Sequence, residues 1–290
     1  MLPISFDFSE RADLRGLGAL LVAFRDAAGA IPFLVVGATA RDLLLHHASG
    51  IALLRATDDV DIAVVAGEWK EFDDLKRRLV ATGFFTAVPG ITYRVLFRTS
   101  HKVDLVPFGG VERPNRSIAW PPDGDPVMNV LGFQEVLAGA SEITLPGGVR
   151  VLVPSLAGLA LTKLIAWADR RDRVRGKDAY DLGAIVRSYP PPGNEERLIA
   201  EAEAAHLFDE GGFDYEWAGA WLLGHDIAAL LSPDHRPQIA TLLNAEADPA
   251  GQLRLVGDMS LGEPERGLAM IHALARGFHS PLTRATEASS

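Results

Sequence analysis

The sequence predicts an α/β protein in two parts: a mixed-sheet head over residues 1–153 and a helical C-terminal domain over residues 154–290. Three observations carry this. Between residues 30 and 153, short β-branched apolar runs alternate with stretches whose apolar residues recur at helical spacing. After Pro154 the strand-like runs stop and helical spacing continues alone. The length, 290 residues, suits two ordinary domains of roughly 100 to 200 residues each.

Taken in order, residues 9–29 place Leu14, Leu17, Leu20, Leu21 and Phe24 on one helical stripe, with Gly29 as the stop. The run 32–36 (PFLVV) is a buried strand ending at Gly37, and a helix from about Thr39 to His47 follows. Residues 60–65 (VDIAVV) form a second strand, then Trp69 to Thr82 a helix that closes at Gly83. Residues 92–98 and 102–108 are two strand-like runs separated by Thr99, Ser100 and His101, hence a hairpin. Glycines and prolines crowd residues 109–127, which predicts a loop.

Strands return at 142–145 and 149–153 around Pro146-Gly147-Gly148, and Ser155 caps a long helix to about Arg171. A break at 190–193 (PPPG) precedes helices at about 195–205, 215–231, 235–246 and 263–277, and the last dozen residues, ending TRATEASS, are expected to fray. There is no internal repeat. His46 and His47 have no third ligand at metal spacing and read as surface residues, and Trp217 and Trp221 read as core.

Composition narrows the chemistry. The chain has no cysteine, which excludes a disulfide framework, a thiol nucleophile and a cysteine-ligated zinc site. The opening MLPISFDFSERADLRG lacks the basic and apolar blocks of a signal peptide, and no long charge-free apolar stretch spans a bilayer, so a cytoplasmic protein without a membrane partner is expected. A net charge of -10 argues against non-specific coating of nucleic acid. The densest basic run, Arg170, Arg171, Arg173, Arg175 and Lys177, remains as a local patch or a solvated helix end.

The chemistry is carried by acids. In a strand, residues two apart share a face, so Asp59 and Asp61 project together. Paired carboxylates repel unless a cation lies between them, and hard oxygen ligands suit Mg2+ or Mn2+. Asp104, in the alternating run 102–106, joins them if its strand neighbours the first. Three such carboxylates can hold two ions roughly 4 Å apart against a nucleoside triphosphate (NTP). Otherwise these acids merely guard a strand end in solvent. Gly37, between a buried strand and a helix, permits close backbone approach to phosphate.

These residues resemble a known superfamily. Val36-Gly37-Ala38-Thr39-Ala40-Arg41-Asp42 followed by Thr57-Asp58-Asp59-Val60-Asp61 looks like the polymerase-β-type nucleotidyltransferase signature, and the first element is close to the GGAVRD turn of tRNA CCA-adding enzymes. Lys163-Leu164-Ile165-Ala166 with Arg170, then Arg175-Gly176-Lys177-Asp178-Ala179-Tyr180-Asp181-Leu182, resembles the K-x-x-A-x-x-x-R and R-x-K-D-x-x-D-L motifs of the AbiEii/AbiGii nucleotidyltransferase toxins. Together the motifs span about residues 30 to 190.

The resemblance implies a polymerase-β-like head and metal ligation by Asp59, Asp61 and Asp104 as the catalytic residues. It also implies nucleotide binding by Gly37, Ala38, Thr39, Arg41, Lys163, Arg170, Lys177, Asp178 and Asp181. One of Asp178 or Asp181 would complete the cleft. Lys163, Trp167 and Arg170 share a helix face at i, i+4 and i+7. A lone helix lysine also commonly faces solvent, and Arg170 and Lys177 have Asp169, Asp172 and Asp178 as nearby partners. One departure stands out: the second turn position, Gly or Ser in the family, is Ala38, and Thr39 is the next hydroxyl along.

The implied activity is transfer of a nucleoside monophosphate from NTP to a hydroxyl, with release of pyrophosphate. The family further implies a toxin of a toxin-antitoxin or abortive-infection pair, with tRNA 3' ends as acceptor and a cognate antitoxin as partner. Transfer to a small molecule or a protein side chain, and a catalytically inactive binding module, are the competing readings.

Overall fold

The computed structural model describes residues 5–52, 57–173, 176–191, 194–204 and 214–281, with the side chains of 202–204 excepted. Arg55, Arg175, part of the 190–193 break and the run TRATEASS lie outside the described residues. The chain forms two compact units, Met1–Asp169 and Arg170–Ser290. The change from strands to helices near Pro154 is a different feature, because the helix after it belongs to the first unit.

The first unit is a mixed sheet with helices. Its strands are β1 (Ser5–Asp7), β2 (Phe33–Val36), β3 (Asp59–Val65), β4 (Phe85–Ala87), β5 (Arg94–Phe97), β6 (His101–Phe108), β9 (Ser141–Leu145) and β10 (Val149–Val153), in the order β1-β9-β10-β2-β3-β6-β5-β4. Strand β3 runs antiparallel to β2 and parallel to β6, and β6 runs antiparallel to β5, which confirms the hairpin. Its helices are α1 (Arg15–Ala28), α2 (Gly37–Arg41), α3 (Trp69–Ala81), α4 (Phe133–Ala138) and α5 (Leu156–Arg170).

Alternation assigns the faces. Phe33, Val35, Ile62, Val64, Val95 and Phe97 point to one side of the sheet. There Phe24 of α1 meets Phe33 at 4.9 Å and Phe85 at 6.4 Å, and Phe85 meets Phe97 at 5.2 Å. Burying this aromatic row is what holds α1 on the sheet. Asp59, Asp61 and Asp104 alternate to the other side. At the base of that side Phe108 packs on Phe133 of α4.

Several elements differ from the sequence reading. The 109–127 stretch is not all loop: β7 (Ser117–Ala119) pairs with β8 (Val127–Asn129) as a separate antiparallel ribbon. Short β1, β4 and α4 carry too few residues for a periodic signal. The helix expected over 39–47 begins at Gly37, and residues Asp42–Ala48 continue it with π geometry. His46 and His47 are not free surface groups: His46 Nδ1 lies 2.8 Å from the Ile51 carbonyl, and the His47 side chain is 8% exposed. Ser155 does cap α5, its Oγ accepting from the Gly158 N–H at 3.1 Å.

The second unit is helical: α6 (Lys177–Arg187), α7 (Glu195–Ala204), α8 (Tyr215–Leu230), α9 (Arg236–Ala247), α10 (Arg254–Met259) and α11 (Pro264–His279). Helices α8 and α11 cross at glycines. A Cβ on Gly224 would overlap the Leu274 carbonyl, and one on Gly277 would overlap the Trp221 carbonyl. Trp221 is buried as expected. No helix among the described residues is long and apolar enough to cross a membrane.

Candidate active site

Parallel pairing of β3 with β6 sets Asp61 directly beside Asp104, and Asp59 lies two residues back on the same face. A carboxylate oxygen from each of Asp59, Asp61 and Asp104 lies within 4.8 Å of the others. Among the described residues, these are the side chains that converge with the spacing of a metal-ligand set. All three are part-exposed.

The surroundings are shaped around this cluster. Val36 pairs with Asp61, which puts the next residue, Gly37, against the carboxylate. Gly37 has φ +65, and a Cβ there would overlap Asp61 Oδ2 and lie 2.8 Å from Cγ. Only glycine satisfies both the left-handed backbone and the close approach. Thr57 Oγ1 donates to Asp59 Oδ1 at 2.8 Å, fixing that carboxylate at the entry to β3. Three hard oxygen donors beside a bare glycine fit a divalent cation such as Mg2+ or Mn2+.

The turn residues have local duties. Thr39 is buried and its hydroxyl donates to the Asp59 carbonyl at 3.3 Å, tying α2 to β3. Ala38 is buried as well. Arg41 is completely buried, and its Nη2 reaches Asp42 Oδ1 at 2.6 Å. This arginine is enclosed at the end of α2. Such a charge is tolerated only when paired and hydrogen-bonded.

Lys163 lies on α5 in the first unit and is 7% exposed, so it is not a solvent-facing helix lysine. Arg170, Lys177, Asp178 and Asp181 belong to the second unit. There Arg170 binds Asp178 through Nη2 at 2.6 Å and Nε at 3.1 Å to Oδ2. Asp178 and Asp181 are buried on α6, whereas Lys177 is exposed.

The sequence reading passed over Arg94. It opens β5 directly across from Asp104 and grips it as a fork, with Nε–Oδ1 at 2.6 Å and Nη2–Oδ2 at 2.7 Å. The hydrogen-bonded Asp104 carboxylate, outweighing the opposing effect of burial, holds the guanidinium proton well above its ordinary affinity, and Tyr93 and Asp59 add to this. A groove of about 560 Å³ lies elsewhere, lined by Arg15, Ala19, Phe84, Phe97, Arg98 and Pro146, and Asp59, Asp61 and Asp104 are not among its lining residues.

No curated protein sequence matches the chain. Similar solved structures include the antibiotic-resistance factor ANT(2'')-Ia, at 16% identity and TM-score 0.38, covering 67% of this chain and 96% of that one. A CCA-adding enzyme with CTP matches at 14% identity and TM-score 0.22, covering 91% of this chain and 79% of that one. A Thermotoga maritima CCA-adding enzyme complexed with tRNA matches with the same values. The profile described as nucleotidyl transferase AbiEii toxin, type IV TA system, matches residues 19–266, which take in the aspartate cluster, α5 and α6. The chain therefore belongs to the AbiEii family of nucleotidyltransferase toxins and is a nucleotidyltransferase.

Proposed function

We propose that the chain transfers a nucleoside monophosphate from an NTP to a hydroxyl at the 3' end of tRNA, in a divalent-metal-dependent reaction. It would do so in the cytoplasm as the toxin of a pair with a cognate antitoxin. The observation that carries the reading is the convergence of Asp59, Asp61 and Asp104 within 4.8 Å on neighbouring parallel strands. The type IV toxin-antitoxin description of the family supports the partner.

Asp59, Asp61 and Asp104 are the residues that would hold Mg2+ or Mn2+. Such an ion, when bound, neutralises triphosphate charge and lowers the pKa of an attacking hydroxyl. Gly37 keeps the approach to Asp61 bare, and Ala38 and Thr39 supply the turn beside it. Arg41 is buried at the end of the same short helix, α2, and paired with Asp42. Lys163, in the first unit, is assigned to the nucleotide phosphates, and within the second unit Arg170 holds Asp178 in place.

In the reaction, the acceptor oxygen forms a bond to the α-phosphorus as the bond from that phosphorus to pyrophosphate breaks. The acceptor proton passes to a carboxylate of the cluster and on to solvent.

The test is incubation of purified protein with each α-labelled NTP, Mg2+ and total tRNA, beside an Asp61→Ala control. Label entering tRNA only with the intact protein supports the proposal. Label entering protein or a small molecule instead would replace the acceptor. Transfer that survives chelation by EDTA would remove the metal.

A further inference from the structure

The cluster of Asp59, Asp61 and Asp104 gathers three negative charges, yet it does not stand alone. Arg94 binds both oxygens of Asp104 in a bidentate fork, and the two side chains are only 23% and 15% exposed. The register makes this pairing intrinsic to the fold, because Arg94 and Asp104 are direct partners across the β5–β6 hairpin. A fork of this kind is strong and geometrically specific.

It also sets up a conflict. Asp104 offers one of the oxygens that converge with those of Asp59 and Asp61, and both its oxygens already accept charge-assisted bonds. A cation entering the cluster shares that carboxylate with a guanidinium. Two cations on one partly buried carboxylate repel each other, with less screening than in water.

We infer that Arg94 is a resident counter-ion that competes with the divalent metal for Asp104 and so sets the metal concentration at which the site fills. The inference rests on the proposal that these three aspartates hold the metal. With the ion absent, Arg94 neutralises part of the cluster and keeps Asp104 aimed. With the ion present, Asp104 is shared between the ion and Arg94, and charge repulsion weakens the fork. Arg94 is thus a positioning residue whose removal strengthens one property, metal binding, while weakening another, the metal-free fold. A merely structural arginine has no means of strengthening metal binding when it is lost.

The experiment measures Mn2+ alone, without nucleotide, by the electron paramagnetic resonance signal of the free ion. Wild type, Arg94→Met and Asp61→Ala are titrated in parallel, with circular dichroism confirming the fold of each. Arg94→Met is expected to bind Mn2+ several-fold more tightly than wild type, to melt at a lower temperature without metal, and to recover more of its melting temperature on adding Mn2+. Where Arg94→Met does not fold, Arg94→Lys keeps the charge and gives up the fork, and a smaller tightening is expected.

Unchanged or weaker Mn2+ binding by a folded Arg94 variant, with Asp61→Ala binding lost, overturns the competition while leaving the metal site intact. Binding by wild type that Asp61→Ala does not reduce overturns the metal site and the inference together.

Discussion

Gly37 and Asp61 are in contact: a Cβ on Gly37 would overlap Asp61 Oδ2 and stand 2.8 Å from Cγ, at a φ of +65. The backbone turn and the carboxylate occupy adjoining space, so neither changes without the other.

Gly37→Ala therefore meets two penalties at once. The left-handed backbone costs about 1 kcal/mol or more for a residue with a Cβ. The overlap then forces the Asp61 carboxylate aside or the turn outward. Loss of nucleotidyl transfer by at least about a hundredfold is expected, since misplacement of a catalytic group by roughly 1 Å has that effect. Melting temperature should fall by a few degrees while the circular dichroism spectrum of the folded state is kept. Activity near wild type would mean that the turn does not set the position of Asp61.

Two aspartate variants that both abolish transfer should differ in stability. Asp104→Asn removes the charged acceptor of the Arg94 fork, and bonds to charged groups are worth about 1.5 to 3 kcal/mol each before solvent screening. Asp61→Asn relieves repulsion within the cluster instead. Urea unfolding should therefore show Asp104→Asn to be the less stable of the two. The opposite order would separate Arg94 from Asp104 in solution.

Asp226 supplies an acid-side test in the second unit. Its carboxylate is buried and receives hydrogen bonds from the Arg197 guanidinium at 2.8 Å and from the Tyr189 hydroxyl. Burial alone would raise its pKa, but the Arg197, His225 and Tyr189 interactions outweigh that and hold it below the ordinary 3.8. A carboxyl with a depressed folded pKa binds its proton more readily when unfolded. Its contribution is thus present above the ordinary value and is lost as pH falls through the lower folded one. Unfolding free energy measured between roughly pH 5 and pH 3 should decline in wild type and decline less steeply in Asp226→Asn. Equal slopes would assign the acid sensitivity to other groups.

Ser155→Ala removes the side-chain acceptor for the Gly158 N–H at the start of α5. An N-cap of this type contributes about 1 kcal/mol. A loss of that size is expected from chemical unfolding, and Ser155→Asp should restore most of it. Failure of Ser155→Asp to recover stability would show that the serine acts through packing.

What the sequence made legible was what depends on near neighbours in the chain. Strand alternation alone put Asp59 and Asp61 on one face, and Gly37 stood out because it ends an apolar strand. Arg94 was invisible for a specific reason. A hairpin turn placed at Thr99–His101 would pair Asp104 with Leu96. The actual turn sits one residue earlier, which pairs Asp104 with Arg94. That turn uses Arg98 and Thr99 at φ 48 and 66, positions where glycine or asparagine would have marked it. Likewise the helical spacing of Lys163 was plain, but spacing cannot distinguish a helix face in solvent from one that is buried.

The sequence by itself determined the acids, their shared face, the strand-to-helix change near Pro154 and the motifs by which the family is recognised. These follow from steric rules that act over two to four residues. Only the tertiary structure decided that β3 lies beside β6, that Asp104 completes the cluster, that Arg94 answers it, and that Arg41 and Lys163 are enclosed. Strand neighbours and register depend on how the whole core packs and which loops close. No local pattern carries that energy.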